Sequence, residues 1–196
     1  MTELEIGGIV LVEEEFRNFL VENKRLGFAG GGEYKRVEKG LLKGYERFTN
    51  QEGDLHYEDN FFGSRVFGGF ELVRHGGEEG TPLWVMSYCG HMDIIIYNQA
   101  DVKAIADAFL NDSLSRVSPE RPFRGPESEL TRGLDVGHHW VDGEGYYWDY
   151  NAITRGNLLV FAGHDVSRTN RFPDCTKESL PQPAMRCEYH GGILIG

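Results

Sequence analysis

The spacing of hydrophobic residues changes along the chain, and each change marks an element. From Glu13 to Lys24 the residues Phe16, Leu20 and Val21 recur at helical spacing, and Leu26-Gly27 with the glycines at 30–32 closes the segment. A first helix is predicted there. Asp101 caps a second, which runs to about Asn111 with Val102, Ile105, Ala106, Phe109 and Leu110 on its apolar face. After each helix and an irregular stretch, the period drops to two. Strands are predicted near 41–48, 54–60, 65–73 and 82–90, then near 134–141, 145–150, 157–167 and 183–190. Turn punctuation separates them, including NQEGD at 50–54 and DGEG at 142–145.

The pattern is told twice. VFGGFELV at 66–73 is echoed by VFAGHDVS at 160–167, Tyr57-Glu58-Asp59 by Tyr147-Trp148-Asp149, and Tyr88-Cys89-Gly90 by Tyr189-His190-Gly191. The landmarks keep their order and nearly their spacing, as copies separated by a few loop changes would. One sheet with one helix would leave a large apolar face uncovered, which a second unit would bury. The expected fold is therefore α+β, mostly antiparallel β with two helices, an internal duplication of an α-then-four-strand unit about a pseudo-twofold axis. It forms a single domain over 1–196, with pseudo-repeats of about 1–97 and 98–196. The alternative is two β-rich halves that reuse the same turn and strand chemistry without being copies.

Composition agrees with strands. The chain holds 26 glycines and many aromatic residues, which suit turns, bulges and sheets better than helix interiors. The formal net charge is −11, and no basic run exceeds a pair such as Lys24-Arg25. Such a surface repels a phosphate backbone, so no nucleic-acid partner is expected. No apolar run approaches a membrane span, and the start MTELEIGG lacks the basic region of a signal peptide. A soluble cytoplasmic protein is expected. Three cysteines, Cys89, Cys175 and Cys187, form no CxxC pair and read as reduced thiols.

Candidate chemistry follows from strand parity. In VFGGFELV, Phe67, Gly69, Glu71 and Val73 share one face, and Phe161, Gly163 and Asp165 repeat the arrangement. Glu71 and Asp165 then line a pocket with Tyr57, Asp59, Tyr147 and Asp149 nearby, or each ties down its own bulge or a buried tyrosine hydroxyl. Histidine replaces Phe70 at His164 and Cys89 at His190, and imidazole can donate, accept or titrate near neutral pH. The expected ligand-binding set is thus Tyr147, Asp149, His164, Asp165 and His190, with Glu71 as the counterpart in the first half. Trp84, Met86 and Tyr88, with Met185, Cys187 and Tyr189, read as a core stripe. No spacing such as HExxH is present, and FAGGGE follows a helix instead of opening one, so no metal and no cofactor are expected.

WVMSYCG at 84–90, FRGP at 123–126 and EYHGGIL at 188–194 resemble the family of domain of unknown function 5680. Members occur alone or behind a helix-turn-helix segment, which implies a sensor or ligand-binding role. Only about a dozen residues precede the first helix here, so direct DNA contact is not expected. The functional expectation is a small-molecule-binding or sensor-like module. The alternative is a hydrolase or isomerase with a carboxylate and histidine acid-base pair, and a scaffold acting through partners is a third reading. A carboxylate and a histidine within hydrogen-bond reach in one cleft would favour the enzyme, whereas an apolar pocket with isolated polar groups would favour binding.

Overall fold

The computed structural model describes residues 2–98, 100, 103, 107, 110, 111, 114–123, 130–131, 134–135, 139–141, 146–157, 160–169 and 182–194. The chain opens with the hairpin β1 (Glu3–Ile6) and β2 (Ile9–Val12), then α1 (Glu13–Leu26) and a 3-10 turn at Phe28–Gly30. β3 (Lys35–Arg36), β4 (Glu46–Glu52), β5 (Leu55–Gly63), β6 (Val66–His75) and β7 (Thr81–Met92) follow, then the single-turn α2 (Ile94–Tyr97). The remainder comprises β8 (Leu130–Thr131), β9 (Leu134–Asp135), β10 (His139–Val141), β11 (Tyr146–Asn157), β12 (Val160–Thr169) and β13 (Gln182–Ile193).

Nine strands form one sheet in the order β10-β11-β12-β13-β7-β6-β5-β4-β3, and every pairing is antiparallel. The central pair, β7 with β13, sets Tyr88 opposite Tyr189. One strand outward on either side, Gly69 stands opposite Tyr88 and Gly163 opposite Tyr189, while Phe67 faces Gly90 and Phe161 faces Gly191. The two halves therefore match in register near the centre. They diverge further out: Asp59 stands opposite Glu71, whereas the position opposite Asp165 is Tyr150, not Asp149. Most of the second expected helix, Asp101 to Asn111, lies outside the described residues, although 103, 107, 110 and 111 are helical. Among the described residues α1 is the one helix longer than a single turn, and the fold is α+β with a dominant antiparallel sheet.

α1 has acidic Glu13, Glu14 and Glu15 in its first turn and Lys24 and Arg25 in its last, the arrangement that the helix dipole favours. From its buried side Phe16, Phe19 and Leu20 join Trp84, Met86, Tyr88 and Tyr189 in the core on one sheet face, and Val21 is buried as well. The core stripe is as expected from parity, and each such fully buried large side chain contributes about 1.5–3 kcal/mol. Two arginines on α1 hold the segment 115–119. Arg17 donates to the Pro119 carbonyl at 3.1 Å, and Arg25 donates to those of Ser115 at 3.0 Å and Val117 at 2.7 Å. That segment becomes a wall of the cavity described next.

Candidate functional site

On the α1 side of the sheet lies a cavity of about 410 Å³. Its walls are mostly apolar, with Phe28, Phe61, Phe67, Leu110, Leu114 and Phe123 among them. Polar groups gather at one place, where Lys24, Tyr57, Asp59, Glu71 and Tyr88 line it. Strand alternation puts Tyr57, Asp59 and Phe61 on one face of β5, and cross-strand pairing sets Glu71 directly beside Asp59. Helix spacing does the rest, since Lys24 continues the buried line Phe16–Leu20 by one more turn.

The cluster is closely bonded. Asp59 Oδ1 accepts from the Tyr88 hydroxyl at 2.7 Å and Oδ2 from the Tyr34 hydroxyl at 2.5 Å. Lys24 Nζ is ion-paired with Glu71 Oε2 and lies 5.3 Å from the centre of the Trp84 ring. Tyr57 lines the cavity beside Glu71, and burial together with the Glu71 and Asp59 carboxylates pushes its hydroxyl upward. Tyr88 reaches Asp59 by leaning across Gly69. A Cβ at that glycine would lie 2.5 Å from the Tyr88 hydroxyl oxygen and 2.3 Å from the Asn60 carbonyl oxygen, so only glycine fits. The expectation that a strand glycine marks a close approach holds here.

Burial and the neighbouring Glu71 raise Asp59 to about 6 from 3.8, against the pull of the two tyrosine hydroxyls and Lys24. Asp59 therefore changes charge near neutral pH. Burial, and then the nearby carboxylates, push the hydroxyls of Tyr34, Tyr57 and Tyr88 upward, which keeps them as donors. No histidine lines the cavity among the described residues, and no group of three or more His, Cys, Asp or Glu side chains is placed to hold a metal ion among them.

Of the residues expected to bind a ligand, Glu71 lies in this cavity, with Tyr57 and Asp59 beside it. His190 is exposed on the opposite sheet face, its Nε2 3.0 Å from Ser87 Oγ. Tyr147 and Asp149 fall in β11, and His164 and Asp165 in β12; their side chains lie outside the described residues. Three members of the cluster were not foreseen as site residues. Lys24 and Tyr88 sat in stripes read as apolar, and Tyr34 follows a glycine run that carries no periodic signal. An available signal was Lys24 itself, a cation at the fourth residue after a buried leucine.

Comparison with known proteins adds one finding. The family model for domain of unknown function 5680 matches residues 59–170, a span that contains Asp59, Glu71, WVMSYCG and FRGP but not EYHGGIL. No curated protein and no solved structure matches the chain. With more than half of its 196 residues covered by that model, the chain belongs to the family of domain of unknown function 5680.

Proposed function

We propose that the chain is a small-molecule-binding, sensor-like module whose ligand occupies the cavity between α1, β5–β7 and residues 103–123. One observation carries the reading: an apolar cavity of about 410 Å³ converges on a few buried polar groups, the usual form of a small-molecule site. The matching ladder about Tyr88 and Tyr189 also supports reading the halves as copies of one unit, of which the first keeps the site. Among the described residues Cys89 and Cys187 are free thiols, which suit a reducing cytoplasm. Native mass spectrometry with the neutral probe N-phenyl-1-naphthylamine tests the pocket. One retained probe per chain is expected, lost when Leu114→Trp fills the cavity. No retention, or retention that Leu114→Trp leaves unchanged, refutes it.

A second reading is favoured by Asp59, a cavity-lining carboxylate that titrates near neutral pH and so suits general acid-base work. Asp59 and Glu71 would then be the acid-base pair, in place of a carboxylate and a histidine. Turnover of a carbonyl compound with an exchangeable α-proton, measured as deuterium uptake and abolished in Asp59→Asn, would select it over simple binding.

A further inference from the structure

Among the described residues, the charges around the cavity do not balance. Lys24 is taken by Glu71, and Lys103 pairs with Asp107 at 2.5 Å on the segment across the cavity. Asp59 receives two neutral hydroxyls and, among the described residues, no ion pair. A buried carboxylate is stable as an anion only with a cation or enough donors, so a cationic group beside Asp59 would add to the pull of its two hydroxyl donors and the more distant Lys24. The wall next to Asp59 suits one. Phe28, Phe61 and Phe67 form a row with ring centroids 6.2 and 6.4 Å apart, and aromatic faces attract ammonium groups.

Resting on the binding reading above, we infer that the ligand is a monocationic amine with an aromatic or alicyclic body, its ammonium group beside Asp59 and its body against Phe28, Phe61 and Phe67. A carboxylate ligand is disfavoured, because Lys24 is already paired with Glu71 and the cluster of Lys24, Glu71 and Asp59 carries a net negative charge when Asp59 is ionised. The volume admits a body of one or two fused rings.

Amine binding then depends on pH. The groups facing Asp59 are Tyr57 on its own strand, Glu71 on β6, Tyr88 on β7, Lys24 on α1 and Tyr34 before β3, with Lys103 and Asp107 on the opposing wall. Asp59 is ionised above about 6 and neutral below, so the amine loses its counter-charge as pH falls through that value.

Calorimetric titration of the whole chain at neutral to mildly alkaline pH with 1-naphthylmethylamine, 1-naphthalenemethanol and 1-naphthoate tests the inference. The amine should bind about tenfold to a hundredfold more tightly than the alcohol, as a charge-assisted hydrogen bond allows, and the carboxylate should bind weakest. The amine-to-alcohol ratio should fall toward one in Asp59→Asn, and in the unmodified chain as pH drops below about 6. Equal binding of amine and alcohol overturns the amine assignment while leaving the pocket intact. Tightest binding of the carboxylate also overturns it, with Lys24 as the anchor. Failure of all three probes overturns the pocket reading itself.

Discussion

Asp59→Asn changes one oxygen to an amide nitrogen and removes a carboxyl group that burial and Glu71 raise to about 6. Its rise from 3.8 to about 6, at 1.36 kcal/mol per pH unit, corresponds to roughly 3 kcal/mol. The sign follows from proton binding: the folded state holds this proton more tightly than the unfolded chain. The resulting stability is fully present below about 3.8 and is lost as pH rises through about 6. Asparagine cannot titrate, so the variant lacks this loss. It has a separate, pH-independent cost, because one of the Tyr34 and Tyr88 hydroxyls must turn to accept from the new amide, at about 1 kcal/mol. Urea denaturation of both proteins at intervals from below about 3.8 to mildly alkaline pH, fitted with a common m-value, gives the difference directly. The unmodified chain should lose roughly 3 kcal/mol relative to the variant across that interval and be the less stable of the two at neutral pH. Parallel stability profiles would refute the reasoning, since they would mean that Asp59 is solvated or compensated in the folded chain.

Tyr34→Phe removes a hydroxyl that favours the ionised form, so the Asp59 midpoint should move above about 6 in a carbon-13 carboxyl NMR titration; an unchanged or lower midpoint contradicts the hydrogen bond. Lys24→Met strips the cation from Glu71, whose side chain is 7% exposed, and should cost about 3–5 kcal/mol in chemical denaturation. Adding Glu71→Gln should restore much of that loss, and equal losses in the single and double variants would count against a buried ion pair. Gly69→Ala forces Tyr88 off Asp59 and should destabilise by roughly 1–3 kcal/mol, read as a lowered melting temperature. A labelled DNA duplex should show no rise in fluorescence anisotropy at physiological salt, given the net charge of −11; tight salt-sensitive binding would revive a regulator that reads DNA.

The parts of this fold legible in the sequence are those set by local period. Phe16, Leu20 and Val21 predict a helix that runs Glu13–Leu26, and the alternation in VFGGFELV places Glu71 and Gly69 on the face where they are found. Local pattern also misled. The pair Leu41-Leu42 suggested a strand at 41–48, yet Leu41 is fully exposed in a turn flanked by Gly40 and Gly44 at positive φ, and β4 begins at Glu46. The hairpin β1–β2 went unpredicted, although Leu4 and Ile6 alternate into a Gly7-Gly8 turn with positive φ at both positions. The site itself was half legible. Parity finds which carboxylates share a face, but Lys24 reaches Glu71 only because α1 crosses the sheet there, a tertiary fact with no local signature.

The register also differs between the two halves of the sheet around the cavity. Phe70, the position that corresponds to His164, sits between Gly69 and Glu71 in β6 and so faces away from the cavity. The informative divergence lies one strand further out. Asp59 stands opposite Glu71, while the position opposite Asp165 is Tyr150. An acid on the inner strand is common to both halves, which is what a scaffold role predicts; the second carboxylate occurs on one side only. Two adjacent buried carboxylates repel and are costly to ionise, so a stability argument alone gives no reason to add the second. The partners placed around it, with two tyrosine hydroxyls on Asp59 and a lysine on Glu71, hold that costly arrangement at the edge of an apolar cavity. A charge placed where it destabilises the fold, beside an apolar cavity, is what the amine-binding role proposed above requires.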